Sequence, residues 1–197
     1  MKKKIAVFLM VSGIVFIIAA ALLLCYNNYE NQRAHKASEE LMKTLRTQIE
    51  AAEIESDAGE DFFDEEMKTK VIDGYEYIGY LSLPDLNIDL PIMSQWDYKR
   101  LKISPCRYFG SVKTNNLVIA AHNYRWHFGY LGHLEEGDLI IFTDMDSKKY
   151  SYNVSSVEIL LPTDVEKVKN SSDDLILYTC TYGGEKRIAV RCKLKNK

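Results

Sequence analysis

An uncharged stretch of about 22 residues, from Ile5 to Tyr26, constrains this chain more than any other feature. A helix rises about 1.5 Å per residue, so this length spans the roughly 30 Å hydrocarbon core of a membrane. The apolar part of a cleavable signal peptide usually has only about 7–15 residues. We therefore predict an uncleaved transmembrane anchor over residues 1–26. A cleaved signal peptide and a lipoprotein anchored through Cys25 are the alternatives.

Three lysines, at positions 2–4, precede this stretch, and no acidic residue accompanies them. Because positive charges favour the cytoplasmic side of a membrane, the N-terminus is expected in the cytoplasm. No second stretch of comparable length follows. The sequence thus predicts a single-pass membrane protein whose remaining residues lie outside the cell.

The segment after the anchor, residues 27–70, is acidic. Counted from Tyr26, it has 12 acidic residues and 6 lysines or arginines. A helix is predicted from Ala37 to Ile54, and residues 55–66 are expected to be flexible. We interpret residues 27–70 as a solvated stalk, with oligomerisation or autoinhibition through this segment as the alternative. The interpretation depends on the thin apolar stripe of the helix, which consists of Leu41, Leu45 and Ile49.

Residues 71–197 carry 16 acidic and 16 basic side chains and are numerous enough to bury one good core. The net charge of the whole chain is -3, which argues against nucleic-acid binding as its main function. Short β-rich runs alternate with turn residues, so we predict an all-β sandwich or barrel with short helical turns at 97–102, 128–131 and 163–168. The predicted strands are Tyr75–Leu83, Leu86–Met93, Leu117–Ala121, Asp138–Thr143, Lys149–Leu160, Leu175–Cys180 and Arg187–Leu194.

Cys180 ends a short apolar strand, and Arg187 begins the next strand after a glycine-containing turn. If these strands form a hairpin, the two residues face each other at its open end. A guanidinium group favours a thiolate and can stabilise an oxyanion, so Cys180 is a candidate nucleophile. A cysteine at a strand end is otherwise a small buried hydrophobe. Arg191 lies on the same predicted face as Arg187 and is the second candidate arginine.

A cysteine nucleophile also needs a partner that transfers protons, and histidine is the usual one. His122 directly follows the predicted strand Leu117–Ala121, and no histidine follows His133. This order excludes a papain-like arrangement, in which the histidine comes after the nucleophile Cys180. Cys106 does precede His122, but we discount it because it lacks a strand-end setting.

Metal and cofactor sites have little support in the sequence. His122, His127 and His133 are five and six residues apart, and no Cys-x-x-Cys or His-Glu-x-x-His motif occurs. A glycine-rich phosphate loop is also missing. We therefore predict no cofactor and no metal. Cys106 and Cys192 are either a disulfide formed outside the cell or two buried thiols.

These candidate residues resemble the sortase family, the membrane-anchored cysteine transpeptidases of mainly Gram-positive bacteria. The family signature, Thr-Leu-x-Thr-Cys at a strand end, corresponds to residues 176–180, where Ile176 replaces the first threonine. Arg187 opens the next strand, as the family arginine does. The sequence around His122, Ala-His-Asn after an apolar strand, resembles the surroundings of the family histidine. The resemblance covers about Tyr75 to Leu194.

The resemblance implies a closed eight-stranded β-barrel with short helices, in which His122, Cys180 and Arg187 meet in a groove. It implies that Cys180 cleaves a Leu-Pro-x-Thr-Gly-like sorting signal of a secreted protein and forms a thioester. An amine from a peptidoglycan precursor or a pilin lysine would then resolve the thioester. His122 would transfer protons to and from the amines, and Arg187 would orient substrate or hold the oxyanion. The implied substrate-binding residues are Thr179, Tyr178 and Thr181.

Two other functions are compatible with the same residues. One is an extracytoplasmic cysteine peptidase that hydrolyses its substrate with water, and the other is a non-catalytic barrel that binds a surface partner. The reaction product distinguishes the first alternative, and an unreactive Cys180 thiol would indicate the second. The subfamily is also open, with a class B-like enzyme as one alternative.

Overall fold

The computed structural model describes residues 2–55 and 67–195 of the chain. Helix α1 runs from Lys2 to Glu55, and the chain divides into two compact units, Met1–Arg33 and Ala34–Lys197. Within Lys3–Ala51, α1 has a window with a mean hydropathy of 2.9 whose side chains are not buried. This helix is long and apolar enough to cross a membrane, and it is the candidate membrane anchor. Its orientation across the membrane stays a prediction.

The second unit is built mainly of strands. A second helix, α2 (Val165–Lys169), lies between the seventh and eighth strands, and 3₁₀ turns occur at Pro84–Leu86, Arg100–Lys102 and Leu131–His133. The strands are β1 (Lys70–Ile72), β2 (Tyr75–Leu83), β3 (Ile88–Met93), β4 (Cys106–Phe109), β5 (Leu117–Ala120), β6 (Leu139–Asp144), β7 (Lys149–Leu160), β8 (Leu175–Cys180) and β9 (Arg187–Leu194).

Eight of these strands close into a barrel. They follow the order β2-β3-β4-β5-β8-β9-β7-β6, and β6 pairs with β2 to complete the ring. The β3–β4 and β5–β8 pairs are parallel, and the other pairs are antiparallel. Gly79 of β2 lies where β2 contacts both neighbours, at φ +141, and a Cβ there would be 2.0 Å from the Thr143 carbonyl oxygen. Closure therefore requires glycine at this position.

The predicted eight-stranded barrel is confirmed, and β1 is an additional short strand that pairs with β2 outside the ring. The bounds of β2, β7, β8 and β9 agree with the predicted strands. Strands β1 and β4 were not predicted, because each is short and neither has the continuous apolar run that identified β5. The predicted helical turns occur nearby, displaced or shortened by a few residues.

The interior of the barrel is filled by inward-facing residues of seven of its eight strands, all except β4, as alternation along those strands requires. A second apolar cluster lies outside the ring, where α1 covers it. Leu45 and Ile49 of α1 pack there with Tyr77 of β2, Met93 of β3 and Cys106 of β4. Each such aliphatic side chain stabilises the fold by roughly 1.5–3 kcal/mol relative to an exposed one.

This packing differs from the expected solvated stalk. The apolar stripe of α1 is thin, but Leu41, Leu45 and Ile49 are all buried because the barrel offers a complementary apolar face. The helix from Ala34 onward therefore belongs to the folded unit that contains the barrel. The predicted boundaries at residues 26 and 70 stay predictions. Of the segment expected to be flexible, residues 56–66 lie outside the described part of the chain.

A third apolar cluster covers another part of the outer surface. Val168 of α2 packs there on Val118 of β5, Ile176 of β8 and Ala189 of β9. Tyr108 of β4 contacts both this cluster and the one beneath α1. The ends of β5 and β8 and the start of β9 therefore emerge between two covered surfaces.

Candidate active site

Cys180 faces outward from the barrel because side chains alternate along β8. Leu175 and Leu177 point into the barrel core, whereas Ile176 and Tyr178 belong to the outer cluster beneath α2. Cys180 continues the outward series at the last position of the strand and is partly exposed. Its thiol is therefore placed at the surface rather than in the core.

Arg187 lies directly opposite Cys180. The two residues form the last register pair of the antiparallel β8–β9 hairpin. The Arg187 Nη1 group donates hydrogen bonds to the carbonyl oxygens of Gly184, at 2.9 Å, and Lys186, at 3.0 Å. The Thr181 and Lys186 backbones also bond across the turn, at 3.0 Å. The predicted hairpin is thus formed, with Cys180 and Arg187 paired at the end of the two strands next to the turn. The hydrogen bonds to the turn hold the Arg187 guanidinium there, and it has five N–H donors.

The register of β5 against β8 brings His122 to the same place. Leu117 pairs with Leu175 and Ala120 pairs with Tyr178, so partners differ by 58 residue numbers. The same offset continued two positions beyond Ala120 places His122 beside Cys180. If the alternation of β5 continues past its last residue, Ala120, His122 has the same outward orientation as Ala120. The ends of β5 and β8 and the start of β9 are therefore adjacent, which supports the predicted meeting of His122, Cys180 and Arg187.

Two side-chain hydrogen bonds hold the backbone on either side of His122. The buried Thr179 hydroxyl donates to the Ala121 carbonyl oxygen at 2.9 Å. The Asn123 side-chain amide donates to the Thr181 carbonyl oxygen at 3.1 Å. The residues before and after the histidine are thus bonded to the residues before and after the cysteine. Thr179 acts within the site through this bond, and substrate contact by Thr179 and Thr181 stays a prediction.

Asn123 is a site residue that the sequence reasoning did not identify. Its position in the Ala-His-Asn motif was visible, but only the β5–β8 pairing reveals that its amide reaches across to Thr181.

Lys102 is a second residue near the site that the sequence reasoning did not identify. It is exposed at the end of the 3₁₀ turn in the β3–β4 connection, which is distant from His122 in sequence.

The surroundings of His122 favour its neutral form. Burial lowers the pKa of His122 below its ordinary value of 6.5, and the nearby positive charge of Lys102 lowers it further. A histidine with a lowered pKa is mostly neutral at pH 7 and is able to accept a proton there. The site therefore presents His122 as a base in the resting enzyme.

Replacing Lys102 tests this electrostatic contact. Lys102→Gln removes a positive charge that disfavours the imidazolium, so we expect the pKa of His122 to rise. The pKa is measured by NMR titration of the histidine ring signals. Lys99→Gln, an exposed substitution in the same connection, is the matched control and should leave the titration unchanged. An unaltered His122 titration in Lys102→Gln would contradict the assignment.

Arg191, the second candidate arginine, is engaged elsewhere. Its guanidinium pairs with Asp173 at 2.9 Å and with Glu158 at 3.0 Å, and it also donates to the Ser171 hydroxyl at 2.9 Å. The side chain is 14% exposed. These contacts tie β9 to β7 and to the segment before β8, which is a structural role.

Substitutions of the two arginines should therefore have different effects. Arg191→Ala leaves the buried Asp173 carboxylate short of a partner, so we expect the free energy of unfolding to fall by about 2 kcal/mol. Arg187→Ala removes exposed hydrogen bonds to the turn and the side-chain hydrogen bond with Tyr178, and its stability should change by less than about 0.5 kcal/mol while turnover falls. Chemical unfolding followed by circular dichroism, with a turnover assay, measures both. Equal destabilisation by the two substitutions would contradict this division of roles.

A row of aromatic side chains extends away from the candidate site. The Tyr178 ring stacks on Tyr108 with centroids 6.5 Å apart, and Tyr108 contacts Trp96 at 5.2 Å. The Lys169 ammonium lies over the Tyr108 ring, 5.5 Å from its centroid. Burial raises the pKa of the Tyr178 hydroxyl, so it is a neutral hydrogen-bonding group at pH 7. The row gives the outer face an aromatic, partly exposed track beside Cys180.

The remaining barrel cysteines are structural. Cys106 and Cys192 are free, buried thiols that lie in different apolar clusters, so they form no disulfide with each other. Burial raises the pKa of Cys106 to about 12 and also raises the pKa of Cys192. A thiol that resists ionisation is a poor nucleophile, which excludes Cys106 from that role.

His122, His127 and His133 are not brought together as metal ligands. His127 is buried against α1, and the exposed His133 side chain lies 3.3 Å from the Tyr130 carbonyl oxygen. Across residues 2–55 and 67–195, no group of three or more histidine, cysteine, aspartate or glutamate side chains is arranged to hold a metal ion.

Comparisons with known proteins agree with this architecture. The family model described as Sortase domain matches residues 81–195, more than half of the chain. The X-ray structure of sortase C from Clostridium perfringens SM101 is similar, with a TM-score of 0.54 and 21% identity over 90% of this chain and 99% of that chain. A search of the curated proteins found no match.

Two further structures show the same fold. Sortase C from Streptococcus pneumoniae has a TM-score of 0.57 and 21% identity over 82% of this chain and 97% of that chain. Clostridium perfringens sortase C with the C-terminal cell wall sorting motif has a TM-score of 0.54 and 20% identity, covering 90% and 100% of the two chains. The fold, the matched domain and its extent lead to one conclusion: the chain belongs to the sortase family of cysteine transpeptidases.

Proposed function

We propose that Cys180 is the nucleophile of a transpeptidase that cleaves a C-terminal sorting signal and joins the released acyl group to an amine. The observation that supports this proposal is the strand register, which pairs Cys180 with Arg187 and, continued two residues past Ala120, places His122 beside Cys180. This arrangement supplies a thiol, a proton-transfer group and a fixed cation beside one another, as acyl transfer requires.

In the first half of the proposed reaction, the Cys180 thiolate attacks a backbone carbonyl carbon of the bound signal. The carbonyl π electrons move to oxygen, and the resulting oxyanion is stabilised by the Arg187 guanidinium and nearby backbone N–H groups. The oxyanion then collapses, and the carbon–nitrogen bond breaks. His122, which has accepted the proton of the Cys180 thiol as the thiolate formed, gives this proton to the leaving amine. The products are a thioester on Cys180 and a free C-terminal fragment.

In the second half, an amine replaces the sulfur. The neutral acceptor amine attacks the thioester carbonyl carbon while His122 accepts its proton. The second oxyanion collapses with cleavage of the carbon–sulfur bond, which restores the Cys180 thiolate and forms a new amide. The lowered pKa of His122 fits this step, because a neutral imidazole is available to take the proton.

The proposed substrate is a Leu-Pro-x-Thr-Gly-like segment of a secreted protein. One similar structure, that of Clostridium perfringens sortase C, contains the C-terminal cell wall sorting motif, which supports a sorting signal as the ligand of this fold. In this chain, the track formed by Tyr178 and Tyr108 adjoins Cys180 and offers rings for an extended, largely apolar peptide. Thr181, in the turn after Cys180, borders the same side.

The proposed acceptors are the amine of a peptidoglycan precursor or a pilin lysine, and both lie outside the cytoplasm. An N-terminal anchor with its start in the cytoplasm would hold the barrel on the same side as these substrates. Tethering an enzyme and its membrane-bound substrate to one surface raises their effective concentration. The candidate span in α1 supports this placement.

The test uses the full chain in detergent micelles with sorting-signal peptides and two amines, a cross-bridge-like peptide and a lysine peptide. We expect intact-protein mass spectrometry to show an acyl adduct on Cys180 and chromatography to show an amide product. Only a carboxylic acid product, with either amine present, would indicate a hydrolase instead. No adduct across several signal variants, together with a Cys180 thiol inert to alkylation, would indicate a non-catalytic barrel and overturn the proposal.

A further inference from the structure

Helix α1 contacts the loop that carries His122, which is the segment 121–130 between β5 and the 3₁₀ turn Leu131–His133. The Ser38 hydroxyl lies 3.1 Å from the Nε2 atom of His127, and both side chains are buried, at 3% and 0% exposure. One turn earlier on the helix, the His35 ring stacks on Trp126 with centroids 4.2 Å apart and planes 13° from parallel. The helix thus binds two consecutive residues of the loop through a buried hydrogen bond and a stacked ring pair.

The loop transmits this contact to His122 because it folds back on itself. The Phe128 N–H donates to the His122 carbonyl oxygen at 3.3 Å, and Phe128 is the residue after His127. The His127 and Gly129 N–H groups both donate to the Tyr124 carbonyl oxygen, each at 2.9 Å. A Cβ on Gly129 would lie 2.7 Å from that oxygen, so the fold-back leaves no room for a larger residue. A displacement of His127 would therefore move the backbone of His122.

Ring contacts follow the same path. The Tyr124 ring lies between the two histidines, with its centroid 5.0 Å from that of His122 and 5.5 Å from that of His127. Burial lowers the pKa of His127 to about 4, so its ring is neutral at pH 7 and has one donor and one acceptor nitrogen. The Ser38 hydroxyl is able to donate to Nε2 or to accept from it, according to which ring nitrogen carries the proton. Ser38, His127, Tyr124 and His122 form a continuous series of contacts from the helix to the candidate site.

His122 is thus held from two directions. Bonds from Thr179 and Asn123 attach its neighbours to the β8 side, and the folded loop attaches it to α1. General acid–base catalysis requires the imidazole within hydrogen-bond reach of the reacting nitrogen, and misplacement by about 1 Å can cost roughly 100-fold in rate. The first attachment fixes the base of the loop, and the second restrains its far side.

We propose that Ser38 is a positioning residue, which orients His122 for proton transfer by holding His127. The proposal rests on the proposed function of His122 and adds a part of the chain outside the matched sortase domain to the catalytic apparatus. Ser38 touches neither substrate nor reacting atoms. Its effect should therefore appear in the chemical step and not in substrate binding.

The kinetic test compares substitutions in the full chain in detergent micelles. For Ser38→Ala, we expect kcat to fall about tenfold, with KM within about twofold of the parent value. Ser38→Thr keeps a hydroxyl and should restore most of kcat. Asp89→Asn is the matched control, because it removes the ion pair between Arg46 of the same helix and β3 without touching the loop. It should retain the parent kcat.

A spectroscopic test separates this inference from the proposed function. The ring signals of His122 are followed by NMR with histidine labelled selectively, which needs no turnover. Ser38→Ala should shift or broaden the His122 signals, whereas Ser38→Thr and Asp89→Asn should leave them near the parent positions. If the parent enzyme forms no acyl adduct, the function of Cys180 is overturned while the NMR result still decides the positioning role. Unchanged His122 signals in Ser38→Ala, or an equal loss of kcat in Asp89→Asn, would overturn that role.

Discussion

Cys180→Ala is expected to abolish transpeptidation, with turnover lower by at least about 10⁴-fold, because no other group at the site can form the thioester. The adduct seen by mass spectrometry with a sorting-signal peptide should disappear as well. The fold should persist, since Cys180 is a small, partly exposed side chain at the end of β8. Intact-protein mass spectrometry, peptide chromatography and circular dichroism together measure these three quantities.

Cys25→Ala is the matched control for Cys180→Ala. Cys25 is a free, exposed cysteine in the N-terminal unit of α1, and its removal should leave the adduct and the rate unchanged. The other two cysteines are unsuitable controls, because they are buried and their truncation would create cavities in the apolar clusters. An acyl adduct that persists in Cys180→Ala, or that maps to another cysteine, would contradict the assignment of the nucleophile.

His122→Ala is expected to lower kcat by about 10³-fold, within the range for loss of a general acid–base group. The leaving amine would then depart without a proton from the enzyme, and the acceptor amine would have to lose its proton to water. The pH dependence should change too, because the ionisation of a histidine with a lowered pKa no longer contributes. Initial rates measured from pH 5 to pH 9, in the parent and the variant, record both effects.

His133→Ala provides the comparison for this substitution. His133 is an exposed histidine in the same connection, and its side chain lies 3.3 Å from the Tyr130 carbonyl oxygen. Its removal should leave the rate and the pH profile unchanged. A variant of His122 that keeps the parent pH profile would show that another group transfers the proton.

Much of the barrel was predictable because its strands carry strong local patterns. Alternation in Arg187–Leu194 correctly separated the core-facing Val190 and Cys192 from the outward Arg187 and Arg191. The short apolar run before Cys180 is buried against neighbours on both edges, as its composition indicated. Patterns of this kind depend only on the geometry of an extended chain, so a sequence reveals them without any knowledge of tertiary contacts.

The helical segment from Ala34 shows where the sequence alone was misleading. The helix itself was predicted, but its stripe of three apolar residues indicated too little surface for packing and therefore a solvated stalk. The apolar stripe of the helix packs on the outer face of the barrel, where residues such as Tyr77 and Met93 form the partner surface. Whether an amphipathic helix packs depends on its partner surface, and the helix sequence does not contain that surface.

The sequence by itself determined three things: the 22-residue apolar stretch, the faces of the strands, and the candidate residues Cys180, His122 and Arg187. Each follows from local composition, periodicity or motif. The tertiary structure alone decided which groups become neighbours. The parallel β5–β8 register joins Asn123 to Thr181 across 58 residues, and helix packing joins Ser38 to His127 across 89 residues. Contacts at such separations form only when the chain closes long loops, and no local pattern records which loops will close.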